Sequence, residues 1–398
     1  MKSSVIKLGL LTCLILLGMT DKEVSAAMTW PAKCASFGKL KPNQNPKPQH
    51  LNCLLTNAAI QAKIPPEVVK AVATKESDWR QFKNGHPFIS SDKGIGIMQI
   101  TDQEDYNTDK LKTDIYYNIQ AGVEILNRMY QRTAVKKPDL PKIKGAGPEI
   151  IENWYFPVMA YNGTKPLNSP LYKSTGKKNT KAYQEKVFTL IQKDSFLNHT
   201  KLGQFPFRKT DFKYDPNSDK NIVFNKLEYT ITNQMHSSTH LFHKGKKVAV
   251  TMDGATVRSK PSSKSSNLKK LAKGTTLIID GDFVFDLSLD SDNKFVWYRV
   301  KTTNQKLKGY ISSAYIIKYF SSPKVNKVTN MALAVTGKTD KYASVTIKIG
   351  TRKYTAKAND SGNFKVKIPK QRAGKKLYVY AKDTKGNVSA TRTVTVLK

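Results

Sequence analysis

The sequence predicts a multidomain chain: an α-rich unit first, then a small β-barrel, then a β-sandwich. Three observations carry this. Between Leu51 and about His199 apolar residues recur at helical spacing, whereas after Val248 they alternate. In the alternating part, clusters of Ser, Pro, Gly and Asp punctuate short runs, the pattern of strands joined by turns. A length of 398 residues is enough for two to four domains.

Residues 1–27 read as a secretory signal peptide. Lys2 and Lys7 precede an apolar run from Leu8 to Met19, and Val24-Ser25-Ala26-Ala27 offers small residues for cleavage. The run is short for a membrane span, Cys13 inside it reads as filling, and no second stretch approaches that length, so no membrane span is expected. The formal net charge of +37 calls for an anionic partner. Nucleic acid, an anionic membrane and an acidic cell wall all qualify on charge; export removes nucleic acid from that set. Cys34 and Cys53 remain after cleavage. Outside the cell they can form a disulfide, worth about 3 kcal/mol in the chain-entropy model.

The first unit, residues 28–200, is expected to be helical. Leu51, Leu54, Leu55 and Ala58 make one stripe; Ile119, Val123, Leu126 and Tyr130 a second; Tyr183, Val187, Leu190 and Ile191 a third. Between the first two, Pro65 and Pro66 open a helix, since a first turn tolerates the missing N–H. Val69, Val72, Ala73 and Glu76 then fall on one face, so a carboxylate occupies a core position. Burial disfavours its charged form and raises its pKa, which makes Glu76 a candidate proton donor near neutral pH.

Four further strings accompany it. Glu76-Ser77 with Gly94-Ile95-Gly96-Ile97-Met98-Gln99-Ile100, Asn118-Ile119 with Gly122, Ala160-Tyr161-Asn162-Gly163, and Tyr183 with Lys186-Val187 occur in this order over roughly a hundred residues. Together they resemble the lytic transglycosylases, whose catalytic domain is related to goose-type lysozyme. One position departs from the family pattern: Lys93 stands where glycine is more frequent.

The resemblance implies a lysozyme-like fold and a single catalytic acid, Glu76. Such an acid protonates the leaving oxygen between MurNAc and GlcNAc, then takes the proton of the sugar's own C6 hydroxyl as a 1,6-anhydro ring closes. Ordinary glycoside hydrolysis needs two carboxylates. A muramidase is therefore the alternative, with Asp78, Asp92 or Asp102 as the second acid. Ser77 and Tyr161 are implied as hydroxyls near the acid, Met98 and Gln99 as lining of the glycan groove, and Asn162 as the holder of the loop that carries Tyr161. Plain core packing is an equal expectation for Met98. No cofactor and no metal are expected.

Residues 201–247 read as a polar, basic connector or an annex to the first unit. His236, His240 and His243 have spacings that can place metal ligands on one helical face, but no Cys or acid lies near them in sequence, so a metal is not expected. In residues 248–320, Val248/Val250, Leu277/Ile279 and Tyr298/Val300 alternate. With ATVRSKPS, KKLAKGTTLII, WYRVK and KGYISSAYI, this segment resembles bacterial SH3-type domains of wall hydrolases. Trp297, Tyr298 and Tyr310 are either ligand contacts or barrel core.

Residues 323–398 alternate again, at Met331/Leu333/Val335, Val345/Ile347/Ile349, Phe364/Val366/Ile368, Leu377/Val379 and Val394/Val396, with turns at NDSGN and KDTKGN. They resemble bacterial immunoglobulin-like domains. Dense lysine against Asp340, Asp360 and Asp383 suits a wall polyanion such as teichoic acid, bound weakly and in a salt-dependent way. The expectation is a monomeric, secreted or wall-associated enzyme of a Gram-positive bacterium that cleaves peptidoglycan glycan strands. The rival is a non-catalytic wall-binding or adhesion protein.

Overall fold

In the computed structural model, residues 29–101, 104–194, 201–231, 235–383, 389 and 391–398 are described. The expected signal peptide, Asp102 and most of the KDTKGN turn lie outside them. The helical unit contains α1 (Pro48–Gln61), α2 (Pro66–Ser77), α3 (Thr108–Thr113), α4 (Ile115–Gln131), α5 (Tyr155–Asn162) and α6 (Tyr183–Lys193). Each expected stripe faces one shared core, to which α1 gives Leu54 and Leu55, α2 Val69 and Val72, α4 Ile119 and Leu126, and α6 Val187 and Ile191. The ends of these helices follow local chemistry. At α4 the Asp114 carboxylate accepts from the N–H groups of Tyr116 (2.8 Å) and Tyr117 (3.2 Å), a cap worth about 1 kcal/mol. A short 3-10 helix, Trp30–Phe37, precedes α1 and is bonded to it through Cys34 and Cys53, with Cα atoms 5.9 Å apart.

Residues 201–247 are an annex rather than a free connector. Leu202, Phe212, Ile222 and Tyr229 are buried in the helical core. Phe205 and Phe207 stack on each other at 5.0 Å and meet the Tyr155 ring at 4.9 and 5.5 Å. Aromatic contacts of this kind add about 0.5–1.5 kcal/mol each beyond the area they bury. The scattered phenylalanines of the sequence are therefore one side of a cluster whose other side is α5.

The barrel comprises β1 (Lys247–Val250), β2 (Ala255–Arg258), β3 (Asn267–Leu271), β4 (Thr276–Val284), β5 (Trp297–Thr302), β6 (Lys308–Ser312) and β7 (Ile316–Lys318), in the antiparallel order β7-β1-β4-β5-β6-β2-β3. Its core holds Val248, Val250, Leu277, Ile279, Tyr298 and Val300, the residues whose alternation predicted it. Trp297 and Tyr298 are buried, whereas Tyr310 is half-buried.

The β4–β5 loop lies against the helical unit. Gln49 Nε2 donates to the carbonyls of Ser291 (2.6 Å) and Asn293 (2.8 Å), and Asn52 Nδ2 to that of Phe295 (3.0 Å).

The last domain is a sandwich of two antiparallel sheets. One holds β8 (Lys324–Val325), β9 (Ala334–Lys338) and β12 (Asn363–Lys367) in the order β8-β9-β12. The other holds β10 (Ser344–Ile349), β11 (Arg352–Lys357), β13 (Lys376–Lys382) and β14 (Arg392–Thr395) in the order β11-β10-β13-β14. Met331 and Leu333 depart from expectation at 65% and 63% exposed. They share the parity of buried Val335 but precede the strand, which begins at Ala334, so the pleat does not turn them inward.

Candidate active site

Glu76 sits in the last turn of α2, which the chain leaves through two successive left-handed residues, Asp78 (φ 53°) and Trp79 (φ 62°). Its carboxylate is half-buried and accepts a hydrogen bond at Oε1 from the Tyr183 hydroxyl at the start of α6. Burial raises its pKa to about 7; the Tyr183 bond and the Lys75 ammonium pull the other way, and the charge of Asp92 adds to the rise. Tyr161 stands beside it: burial first, then the Glu76 charge, push that phenol well above its ordinary range.

The remaining groups hold the segment beside the acid. Residues 94–100 pass next to α2, where the Ser77 hydroxyl donates to the Ile97 carbonyl (2.8 Å) and accepts from Arg80 N–H (3.0 Å). Asn118 on α4 donates to the Ile95 carbonyl (2.8 Å) and accepts from Met98 N–H (2.9 Å), while Gln81 Oε1 accepts from Ile97 N–H (3.0 Å). Gly96 (φ 70°) is required there, because a Cβ would lie 2.4 Å from both Asn118 and Gln81. Lys93 adopts φ 65° in the turn closed by Ser90 and Gly94, which accounts physically for a position where glycine is the easier residue.

The structure redistributes the roles expected for individual residues. Tyr161 Oη donates to the Met98 carbonyl at 2.6 Å, so its phenol braces the 94–100 segment next to the acid. The Met98 side chain is 0% exposed and packs over Gly122, where a Cβ would lie 2.6 Å from its Cε. It is core, not groove lining, because α4 takes up the side chain and the Met98 N–H and carbonyl are held by Asn118 and Tyr161. The Ser77 hydroxyl is spent on the Ile97 and Ala73 carbonyls and on Arg80 N–H. Gln99 (φ 49°) is half-buried and donates from Nε2 to the Gly96 carbonyl at 2.7 Å. Asn162 is exposed at the end of α5 and accepts from Asn168 Nδ2 at 3.0 Å, which ties down the turn after Tyr161. Asp78 is exposed on the left-handed turn, and Asp92 is exposed on the 90–94 turn.

Tyr183 escaped the sequence reading as a site residue. It belongs to the string with Lys186-Val187 and to an apolar stripe, and both signals describe a helix face. The contact itself spans 107 positions.

The three histidines do not converge. His236 Nδ1 lies 2.6 Å from Glu152 Oε1, His240 Nδ1 lies 3.0 Å from Glu67 Oε1, and His243 is exposed. The acidic partners absent from the nearby sequence are supplied by the helical unit. Among the described residues no cluster of three metal-ligating side chains occurs.

Comparison with known families decides the assignment of each part. Residues 54–184 match the transglycosylase SLT domain, 253–317 the bacterial SH3 domain and 321–398 the bacterial Ig domain. The chain carries a lytic transglycosylase-type domain. All the residues described above around the acid, from Glu76 to Tyr183, lie within the SLT match. The chain is also similar to a cell wall-associated protease of Bacillus subtilis (strain 168), 43% identical over 79 residues, which is 19% of this chain and 9% of that relative. It thus spans a small part of that relative's length. Among solved structures it matches a biofilm associated protein (BSP domain) with TM-score 0.19 and 11% identity, covering 42% of this chain and 27% of the other. No helix among the described residues is long and apolar enough to cross a membrane.

Proposed function

We propose that this chain is a secreted peptidoglycan lytic transglycosylase that cleaves the β-1,4 bond between MurNAc and GlcNAc with Glu76 as its single acid and base. The observation that carries this is the state of Glu76. A carboxyl group with a pKa near 7 is protonated in a useful fraction at neutral pH and is still a competent base once ionised. Tyr183 engages Oε1, which leaves Oε2 to carry the mobile proton. In the first step that proton passes to the glycosidic oxygen as the C1–O4 bond breaks. In the second, the C6 hydroxyl of the same MurNAc adds to C1 while its proton returns to Glu76. The C1–O6 bond replaces C1–O4, the acid is regenerated, and no water enters. Gln99 and the backbone of residues 94–100 line the glycan path. The barrel and the sandwich hold the enzyme on the wall, the lysines of the last domain against teichoic acid, and the enzyme works as a monomer.

The test is mass spectrometry of purified peptidoglycan digested by the mature protein, with Glu76→Gln alongside. Products ending in 1,6-anhydro-MurNAc, absent from the Glu76→Gln digest, are expected. Reducing MurNAc ends, heavier by one water, would make the enzyme a muramidase. Asp92 would then be the first candidate for the second acid, because its charge is the carboxylate charge that bears on Glu76. No cleavage by the unaltered protein would leave a wall-binding protein.

A further inference from the structure

The β4–β5 loop of the SH3 domain sends one side chain between two helices of the SLT domain. Lys294 Nζ donates to Thr74 Oγ1 on α2 at 2.9 Å and lies 3.1 Å from Asp194 Oδ2 at the end of α6. The two charged groups are only 16% and 20% exposed, so salt and water screen them far less than a surface pair. Each contact is tied to its own helix. Asp194 N–H donates to the Leu190 carbonyl at 2.9 Å, and the Thr74 hydroxyl donates to that of Lys70 at 2.8 Å. Lys294 is fixed in turn. Its carbonyl accepts from Lys70 Nζ at 2.8 Å, and its ammonium stands over the Trp79 ring, 5.2 Å from the centroid.

These are the two helices that carry the acid and its donor. Tyr183 opens α6, and Asp194 caps it after 11 residues, a rise of roughly 16 Å. Thr74 and Glu76 lie in the last turn of α2, two positions and so about 200° apart around the helix. Helix α6 therefore crosses the end of α2 as a beam with a polar pin on either side. One pin is the Tyr183 bond to Glu76; the other is the Lys294 bridge from Thr74 to Asp194. Between them Val187 and Ile191 share the core with Val69 and Val72. Apolar contact of that kind is non-directional, so it holds the helices together without fixing a hydroxyl to hydrogen-bond tolerance. The pins supply the direction.

We propose that Lys294 is a positioning residue for the acid: a side chain of the SH3 domain sets the crossing of α2 and α6 and thereby holds the Tyr183 hydroxyl on Glu76. The proposal rests on the transglycosylase reading only in calling Glu76 the acid. The groups that bear on Glu76 directly are Tyr183 from α6, Lys75 from α2 itself, Asp92 from the 90–94 turn and Tyr161 from α5. Lys294 acts through the first of these. The SH3 domain is then part of the catalytic unit, joined to it through one loop.

Carbon-13 NMR titration of the Glu76 carboxyl in the full-length protein and in Lys294→Met tests it. Lys294→Met should raise the midpoint by about 0.5–1 pH unit, roughly half of what losing a hydrogen bond to a charged group would give. Lys294→Arg, which can still bridge Thr74 and Asp194, should return it toward the unaltered value. In a Tyr183→Phe background Lys294→Met should add nothing, because the donor it positions is already gone. A folded Lys294→Met with an unmoved midpoint would overturn the proposal. So would a shift of equal size in the Tyr183→Phe background, which would make Lys294 a charge acting through space. If Lys294→Met does not fold, Thr74→Val removes the α2 side of the bridge and keeps the ion pair; a smaller rise is expected from it, and no rise would overturn the proposal. The titration needs no substrate. The predicted shifts in a protein that cleaves no peptidoglycan would uphold the positioning role and remove the transglycosylase.

Discussion

Helix α2 carries two glutamates into the protein interior and treats them in opposite ways. Glu67, at its start, is buried, yet three donors converge on its Oε1: Thr239 N–H (2.8 Å), the Thr239 hydroxyl (3.1 Å) and His240 Nδ1 (3.0 Å). Burial alone would raise its pKa, but His240, by its charge and its hydrogen bond, and the backbone N–H groups beside the carboxyl outweigh it and hold the group down at about 2. Glu76, at the end of the same helix, meets one donor, the Tyr183 hydroxyl, and burial prevails, lifting it to about 7. Glu67 is fully buried and Glu76 only half-buried, yet it is the shallower group that is raised, so the supply of donors decides whether a buried carboxyl is a fixed anion or a mobile acid. The structural glutamate closes a network that continues through His240 Nε2, 2.9 Å from Lys70 Nζ, to Asn52 Oδ1 at 2.7 Å. The other is left poised to exchange its proton.

Several substitutions would break or sharpen this contrast. The largest effect is expected at Glu67. Glu67→Ala strands His240 and the Thr239 amide in the interior and should cost about 3–5 kcal/mol in urea unfolding.

At Glu76 the sign reverses. Its folded pKa lies above its unfolded value, so the group carries no penalty below about pH 4.5, and the penalty grows as pH rises to about 7 and then saturates. Glu76→Gln should therefore stabilise the fold at pH 8 by up to about 3 kcal/mol, with the gain vanishing toward pH 4, as thermal unfolding at the two pH values would reveal.

Tyr183→Phe removes the donor that favours the Glu76 anion. A hydrogen bond to a charged group is worth about 1.5–3 kcal/mol, so the acid should move up by about one to two pH units and carry the high-pH limb of kcat/KM with it. An unchanged limb with a lower rate would make Tyr183 a packing residue only. The smallest effect is expected at Lys93, outside the contrast, on the turn near Glu76. Lys93→Gly relieves a left-handed side chain and should stabilise by about 0.5–1 kcal/mol without altering the pH profile.

Much of the fold was legible because each domain repeats its own period. Val69, Val72 and Ala73 announced the buried face of α2, and the alternation of Leu277/Ile279 with Tyr298/Val300 announced the barrel. The upward shift of the Glu76 carboxyl was legible because a carboxylate interrupts the apolar stripe of α2. What stayed hidden depends on residues far apart in the chain. Phe205 and Phe207 looked scattered until α5 supplied Tyr155, some fifty positions earlier. His236 and His240 looked like metal ligands without acids because Glu152 and Glu67 lie 84 and 173 positions away. The loop that fixes the SH3 domain shows no periodicity; its carbonyls are held by Gln49, Asn52 and Lys70, polar residues buried in the joint between the two domains.

The most direct measurement is a carbon-13 NMR titration of the glutamate side-chain carboxyls in the protein, with Glu76→Gln and Glu67→Gln used to assign the two signals. Glu76 should titrate near pH 7, and Glu67 should stay ionised through the acid range until about pH 2 or unfolding. A Glu76 signal that titrates near 4.5, the ordinary value for an exposed glutamate, would contradict the account: the group would then be an anion at neutral pH, with no proton to give the glycosidic oxygen.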